Sequence, residues 1–558
     1  MNSKNDLRFP FVALAIVLFA AVYLVPNAYR PFMAPDEHRY AEIPREMILT
    51  GDWLSPHLDG LRYFEKPPMY YWLCAISMSV FGENMFAVRL PGALATALTA
   101  LFVFLLAGKL TQELSSRWIA VGMFLTSAIV MVLGVTATTD SLLAMSLCGV
   151  MLCFYSYVEA TDPRRRFVFL LACGFFSALA FLTKGFLAFV VPVIAVIPFL
   201  LWEREWKTIL KAPWLPFIVA VLLLLPWGIA IHLREPDFWN YFFFEEHVRR
   251  FMSDKAQHEG PIWYYLPQML WALAPWTFLL PVAVSGLKKC GIQDRFMRFL
   301  VCWAIFPFIF FSISRGKLPT YVLPIIPAWV ILLSVGLSCG LQQSSKLYNR
   351  MIKTLSAFMF IVAVLLGVNF LTGYPRAAYF SGEEVKFLLA FIALLACAAL
   401  YFRVLKIQES GAKILHSSFA ILPLLFAMSF VYPQQVIDRR MFDGFIADHA
   451  DFVDKDSYLV ANHGVLHGVC WGLKRSDVAI LFGLGELTYG FSYPDKHIEN
   501  LVDGESLQKL IAERIAQREG GEANVVLITR LKHWKKIEEL LPKPRRYVEN
   551  TEIMIARF

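Results

Sequence analysis

The chain of 558 residues is 58% apolar and only 17% charged, with a mean hydropathy of +0.54, and a soluble fold of that length has no interior large enough for so much apolar surface. Its 48 Phe and 15 Trp can furnish aromatic belts at two membrane interfaces, and a formal charge of +8 fits basic loops held on one face of a bilayer, which makes nucleic acid a poor reason for the basicity. Eight of the nine cysteines lie in or beside apolar runs and Cys470 has no spaced partner, so neither a disulfide framework nor a thiolate metal site is expected.

The first apolar run, residues 11–25, has the length of a secretory leader but no small-residue cleavage site after it, and reads as a spanning helix with a cytoplasmic N-terminus. Further runs near the roughly 20 residues that a hydrocarbon core demands centre on 90–108, 117–137, 141–159, 167–183, 185–201, 213–231, 266–286, 298–313, 321–340, 355–372, 386–402 and 416–432. With 11–27 they make about thirteen spans. Lys and Arg concentrate in alternate loops, among them Arg164-Arg165-Arg166, Lys288-Lys289 with Arg295 and Arg298, and Arg403 with Lys406 and Lys413, which places those loops inside. The opposite set holds two long segments, 28–89 and 232–265, and the tail from 433 to 558. In that tail apolar runs around Tyr458, Val478 and Asn524 alternate with a helical pattern over 505–518, which predicts a small α/β domain. The fold class is therefore an α-helical polytopic membrane protein, residues 1–432, with a C-terminal extracytoplasmic α/β domain, residues 433–558.

Basic residues on the outer side run against the positive-inside bias and call for a reason of their own. The first long loop carries Asp36-Glu37-His38-Arg39-Tyr40 and then Arg62-Tyr63-Phe64-Glu65-Lys66-Pro67-Pro68; the second carries His247, Arg249 and Arg250; a later turn reads Lys317-Leu318-Pro319-Thr320-Tyr321. Asp140 and Lys184 fall at outer helix ends. A lipid phosphate leaving a sugar carries negative charge that Lys or Arg can neutralise, a carboxylate can orient a substrate or act as base, and aromatic neighbours can line a lipid slot. Each residue also has a plainer reading. Outer-loop charges are commonly solvated or anchor helix ends, Asp36-Glu37 can favour the start of a helix over 37–50, and a lone His with a distant Glu is a weak metal signal. A transporter would carry ionisable groups mid-span in broken helices; here they gather at outer ends.

Taken in order, Asp36-Glu37 with Arg39-Tyr40-Ala41-Glu42-Ile43, Phe64-Glu65-Lys66-Pro67-Pro68 and Lys317-Leu318-Pro319-Thr320-Tyr321 resemble the bacterial branch of the protein mannosyltransferase superfamily, and within it the 4-amino-4-deoxy-L-arabinose lipid A transferases, over nearly the whole chain. The resemblance implies a GT-C glycosyltransferase of the inner membrane, with an undecaprenyl-phosphate-linked sugar as donor, lipid A as acceptor, an outward-facing site, resistance to polymyxin, and no nucleotide-sugar domain. It implies that Asp36 and Asp140 are the catalytic acids and that Lys66, with Arg249 or Arg250, meets the carrier phosphate. Glu37, Arg39, Tyr40, Arg62, Tyr63, Lys184, Lys317 and Tyr321 complete the implied substrate surface. Glu65 and His247 resemble a zinc pair, although nothing in the sequence by itself requires a cofactor. No nucleic-acid partner is expected, and the expected state is a monomer in the lipid bilayer. Transfer of a hexose from a polyprenyl phosphate to another glycolipid, glycan or protein is the alternative within the same chemistry.

Overall fold

A computed structural model of the chain describes residues 8–249, 259–374, 376, 378–493, 501–517 and 522–558. It divides into two compact units, one of Met1–Asn27, Glu65–Tyr70 and Arg89–Val431, the other of Ala28–Phe64, Tyr71–Val88 and Tyr432–Phe558.

The first unit is a bundle of apolar helices. Among the described residues nine are long and apolar enough to cross a membrane, or eleven if two bent pairs each count as one span. The bent pairs are Leu114–Leu125 with Ala128–Gly134, turning through 66°, and Tyr265–Ala272 with Trp276–Cys290, turning through 99°. Eleven of the thirteen runs expected from sequence fall on these helices, and the other two on the shorter apolar helices Ala13–Tyr29 and Leu187–Trp202. Length alone therefore does not yield thirteen crossings.

Thr139–Glu159 lies almost wholly inside the bundle, and its polar residues enter that interior satisfied: Ser141 and Ser146 donate to the carbonyls of Leu133 and Leu142 at 2.9 and 2.8 Å. Trp206–Arg234 and Ser345–Thr372 instead expose most of their apolar surface, as helices facing lipid tails do. The two bends support one another. Across them the Ala128 N–H donates to the Ala274 carbonyl at 2.9 Å and the Trp276 indole to the Thr126 hydroxyl at 3.1 Å, which satisfies groups that a broken helix would otherwise leave bare in hydrocarbon.

Leu280–Cys290 and Ile326–Gln343 approach through glycine. A Cβ at Gly286 would stand 2.0 Å from the Gly336 carbonyl, and one at Gly340 would stand 2.4 Å from that of Val282. Small residues permit this backbone contact, the usual route to tight helix pairing in a membrane. The same approach corrects the expectation of unpaired thiols: Cys290 and Cys339, 49 residues apart, form a disulfide with their Cα atoms 6.5 Å apart.

The second unit is built on a six-stranded sheet of order β5-β4-β3-β6-β8-β7. Here β3 is Tyr458–Asn462, β4 Ala479–Leu481, β5 Leu501–Val502, β6 Val525–Arg530, β7 Arg546–Glu549 and β8 Ile553–Arg557. The first four in space are parallel, and β8 and β7 close the sheet antiparallel. Val460, Leu481, Val525, Leu527 and Ala556 form its core with Leu507 and Ile511 from the helix Gly504–Gln517. Most of the segment expected as the first long outer loop, Ala28–Phe64 and Tyr71–Val88, folds within this unit. Its helix Asp36–Thr50 packs along the helix His463–Leu473, and its hairpin, β1 (His57–Leu58) and β2 (Leu61–Arg62), turns on Asp59-Gly60. Both turn residues have positive φ, +54° and +76°, as a two-residue hairpin turn whose twist suits the strands requires.

Candidate active site

In the membrane unit the site grows from helix ends. Asp140 stands in the first turn of Thr139–Glu159, where unpaired backbone N–H groups and the helix dipole favour a carboxylate. Lys184 closes Pro163–Lys184, the end that favours a cation, before Gly185 turns the chain away at φ +72°. Lys184 Nζ lies 2.6 Å from Asp140 Oδ1 and 5.4 Å from the centre of the Tyr321 ring. With both side chains only about one-tenth exposed, the pair presents an acceptor and a donor side by side, beside an aromatic face. Lys66, just ahead of Pro67-Pro68, donates to the Glu65 carbonyl at 2.8 Å and stands 3.9 Å from the Glu65 carboxylate.

Lys317, expected on the substrate surface, is engaged with the backbone. It is buried, and its ammonium donates to the carbonyls of Ser314, Ser312 and Phe311 at 2.6, 2.7 and 3.4 Å, closing the end of the helix Arg295–Ile313. Those carbonyls have no partner within the helix, so the lysine supplies the cap and uses its three donors doing so.

The second unit gathers the loop-one residues. Asp36 lies in the first turn of Asp36–Thr50 with more than half its side chain exposed, and pairs with Arg39 one turn on. Arg39 also pairs with Glu486, and it donates to the Tyr63 hydroxyl at 3.1 Å. Tyr40 stacks on Tyr71 beneath the Arg39 guanidinium, and Arg62 lies over the Tyr493 ring at 4.5 Å. Glu37 turns inward, 3.0 Å from Arg30 and accepting from the Met33 N–H at 2.8 Å, so it organises the helix start and faces no open space.

The network continues to residues that the motif reading did not reach. His467 Nδ1 donates to Asp59 Oδ2 at 2.6 Å, and its Nε2 lies 3.3 Å from Glu486 Oε1. Burial alone would lower the His467 pKa, but the Asp59 and Glu486 carboxylates outweigh it and push it up to about 10. Burial acts to raise Glu486, yet Arg39 and then His467 hold it far below the usual carboxylate range. Deeper in, Arg45 grips Glu42 through two contacts of 2.6 and 2.8 Å, while Glu46 accepts from the Gly60 N–H at 3.1 Å. Burial first, then Glu42 and Asp59, raise Glu46 well above the ordinary value. The signals available for this network were the Asp59-Gly60 turn and the His-x-x-x-His spacing of His463 and His467.

Arg250 lies outside the described residues, as do the side chains of His247 and Arg249, whose backbone belongs to the helical turn Tyr241–Arg249. The zinc expected at Glu65 and His247 therefore has one ligand in view, and that ligand is the Glu65 carboxylate beside Lys66.

Two family models match: dolichyl-phosphate-mannose-protein mannosyltransferase over residues 9–242, and the arabinosyl transferase ArnT C-terminal domain over residues 437–557. Undecaprenyl phosphate-α-4-amino-4-deoxy-L-arabinose arabinosyl transferase of Serratia proteamaculans is 36% identical over 544 residues, covering 96% of each chain. The protein of the same name from Yersinia enterocolitica is 37% identical over 95% of each. A crystal structure of ArnT from Cupriavidus metallidurans bound to undecaprenyl phosphate aligns with a TM-score of 0.80 at 23% identity over 98% of both chains, which shows a shared fold. A membrane bundle, a C-terminal α/β sheet and this full-length likeness lead to one conclusion: the chain is a glycosyltransferase and belongs to the undecaprenyl phosphate-α-4-amino-4-deoxy-L-arabinose arabinosyl transferase family.

Proposed function

We propose that the protein moves 4-amino-4-deoxy-L-arabinose from undecaprenyl phosphate to lipid A on the periplasmic face of a bacterial inner membrane, conferring resistance to polymyxin and other cationic peptides. The observation that carries this reading is the identity, sustained from end to end, with relatives named for that donor. A lipid A phosphate oxygen attacks the anomeric carbon, the bond from that carbon to the carrier oxygen breaks, and undecaprenyl phosphate leaves with the electron pair. Lys66, with Arg249 or Arg250, neutralises the departing phosphate. An anionic acceptor needs little help from a base, so Asp36 and Asp140 orient the sugar, and Tyr321 beside Lys184 gives its ring a face to rest on. No step runs through zinc.

Sidedness is supported by pairing at the opposite helix ends. Lys109 with Glu159 at 2.5 Å, Arg298 with Glu203 at 2.5 Å, and Arg295 with Glu205 tie together loops that the basic-residue pattern assigns to the cytoplasm. In this reading the enzyme acts as a monomer, with residues 433–558 as a periplasmic domain. Incubating the purified protein in detergent with undecaprenyl phosphate-linked aminoarabinose and lipid A tests it: lipid A gains the mass of one sugar residue. Unmodified lipid A alongside a different glycosylated acceptor would assign the protein another substrate.

A further inference from the structure

We propose that His463, His467 and Glu486 form a binding site for a zinc-class divalent cation within the second unit, separate from the Glu65 and His247 pair. His463 and His467 sit four residues apart at the start of the helix His463–Leu473, a spacing that puts both rings on one face. Glu486 comes from the turn Gly485–Leu487, and one ligand atom from each of the three residues lies within 4.8 Å of the others.

Zinc bound at about 2.0–2.1 Å to nitrogen and oxygen in a tetrahedron separates its ligand atoms by about 3.3 Å. His467 Nε2 and Glu486 Oε1 are already 3.3 Å apart. His463 Nε2 is buried with no hydrogen-bond partner among the described residues, an arrangement that costs free energy unless something occupies the nitrogen. Its place depends on Gly485, where a Cβ would stand 2.2 Å from that nitrogen and where φ is +55°. One short turn thus supplies the carboxylate and clears room for the imidazole.

The surroundings supply what such a site needs. Asp59, presented by the hairpin turn, accepts the Nδ1–H of His467 at 2.6 Å, which orients the ring so that Nε2 is the atom that would exchange its proton for a metal beside Glu486. Arg39 and Tyr63 engage the other Glu486 oxygen, Oε2, and leave Oε1 toward the histidines. Charge points the same way: among the described residues Asp36, Asp59 and Glu486 set three negative charges against Arg39 and His467, and a divalent ion that displaces the second His467 proton brings the group to neutrality. Three protein ligands leave a fourth position for water.

The test strips the full-length protein with chelator, reloads it with zinc or cobalt(II), and measures metal content and the tetrahedral cobalt absorption, all in a Glu65→Gln background that removes the other candidate pair. One tightly held ion in that background, lost with its cobalt band in His463→Gln, supports the site. Unchanged metal content and an unchanged band in His463→Gln overturn it. If His463→Gln does not purify, X-ray absorption of the zinc-loaded Glu65→Gln protein decides: two imidazoles per ion support the site, and fewer than two refute it.

Discussion

Asp36 keeps more than half of its side chain in the open although Arg39 holds one of its oxygens, and Arg39 is itself held by Glu486 and Tyr63. An acid restrained in that way is suited to positioning a substrate, and its worth as a base can be measured directly. Asp36→Asn lowers kcat by less than about 100-fold, the smaller end of what loss of a general base costs, when assayed with lipid A as acceptor. A larger loss would make Asp36 the base. Glu46 offers a stability measurement at the same scale. Its folded pKa is raised, so its contribution to stability is fully present below the ordinary carboxylate value and is lost as pH rises through the folded value. Glu46→Gln retains a carbonyl for the Gly60 N–H and removes the buried acid; its Tm in detergent rises by about a few degrees at pH 8 and changes little at pH 4.

The acids and cations at helix ends were legible because a charge beside a long apolar run stands out and two prolines after Lys66 mark a fixed backbone. Glu486, Asp59 and His467 were not. The His467 contact with Asp59 spans 408 residues, and no local pattern announces a partner at that distance. Lys317 shares the sequence context of Lys66, and nothing in that context announces that its three donors serve backbone carbonyls.

At the scale of elements, the contact between Leu280–Cys290 and Ile326–Gln343 depends on glycine at three positions. Gly286→Ala would set a methyl group 2.0 Å from the Gly336 carbonyl, so the helices must separate; the expected cost is about 1–3 kcal/mol, read as a lower melting temperature in detergent. An unchanged melting curve would mean that this contact is not a close one in the folded protein. Apolar run length located the helices well, since hydrocarbon thickness imposes it directly. The bends were hidden because hydropathy carries no direction, and the Cys290–Cys339 bond was hidden because pairing followed from backbone approach. In the tail, β3, β4 and β6 were legible as continuous apolar runs, the form that strands buried in a parallel sheet take. By contrast β7, whose side chains are mostly exposed, carries no such run.

For the whole molecule, the proposed chemistry turns on Lys66 receiving an anionic leaving group. Lys66→Gln should lower kcat/KM at least 100-fold and weaken undecaprenyl phosphate binding, with partial rescue by Lys66→Arg, which keeps the charge. Turnover unaffected by Lys66→Gln would remove the phosphate from this lysine. Composition, alternating basic loops and three ordered motifs made the class of molecule readable from the chain alone. The allocation of residues 28–64 and 71–88 to the same unit as the sheet was not readable, because it rests on tertiary pairs such as Arg39 with Glu486.

The two helix breaks that close on one another, Ala128 to Ala274 and Trp276 to Thr126, act as one joint. Straightening or unhinging either partner alone would strand an amide, a carbonyl or an indole N–H in oil. Any movement of this part of the bundle must therefore take both kinks together or neither, and a residue change at one kink will be felt at the other.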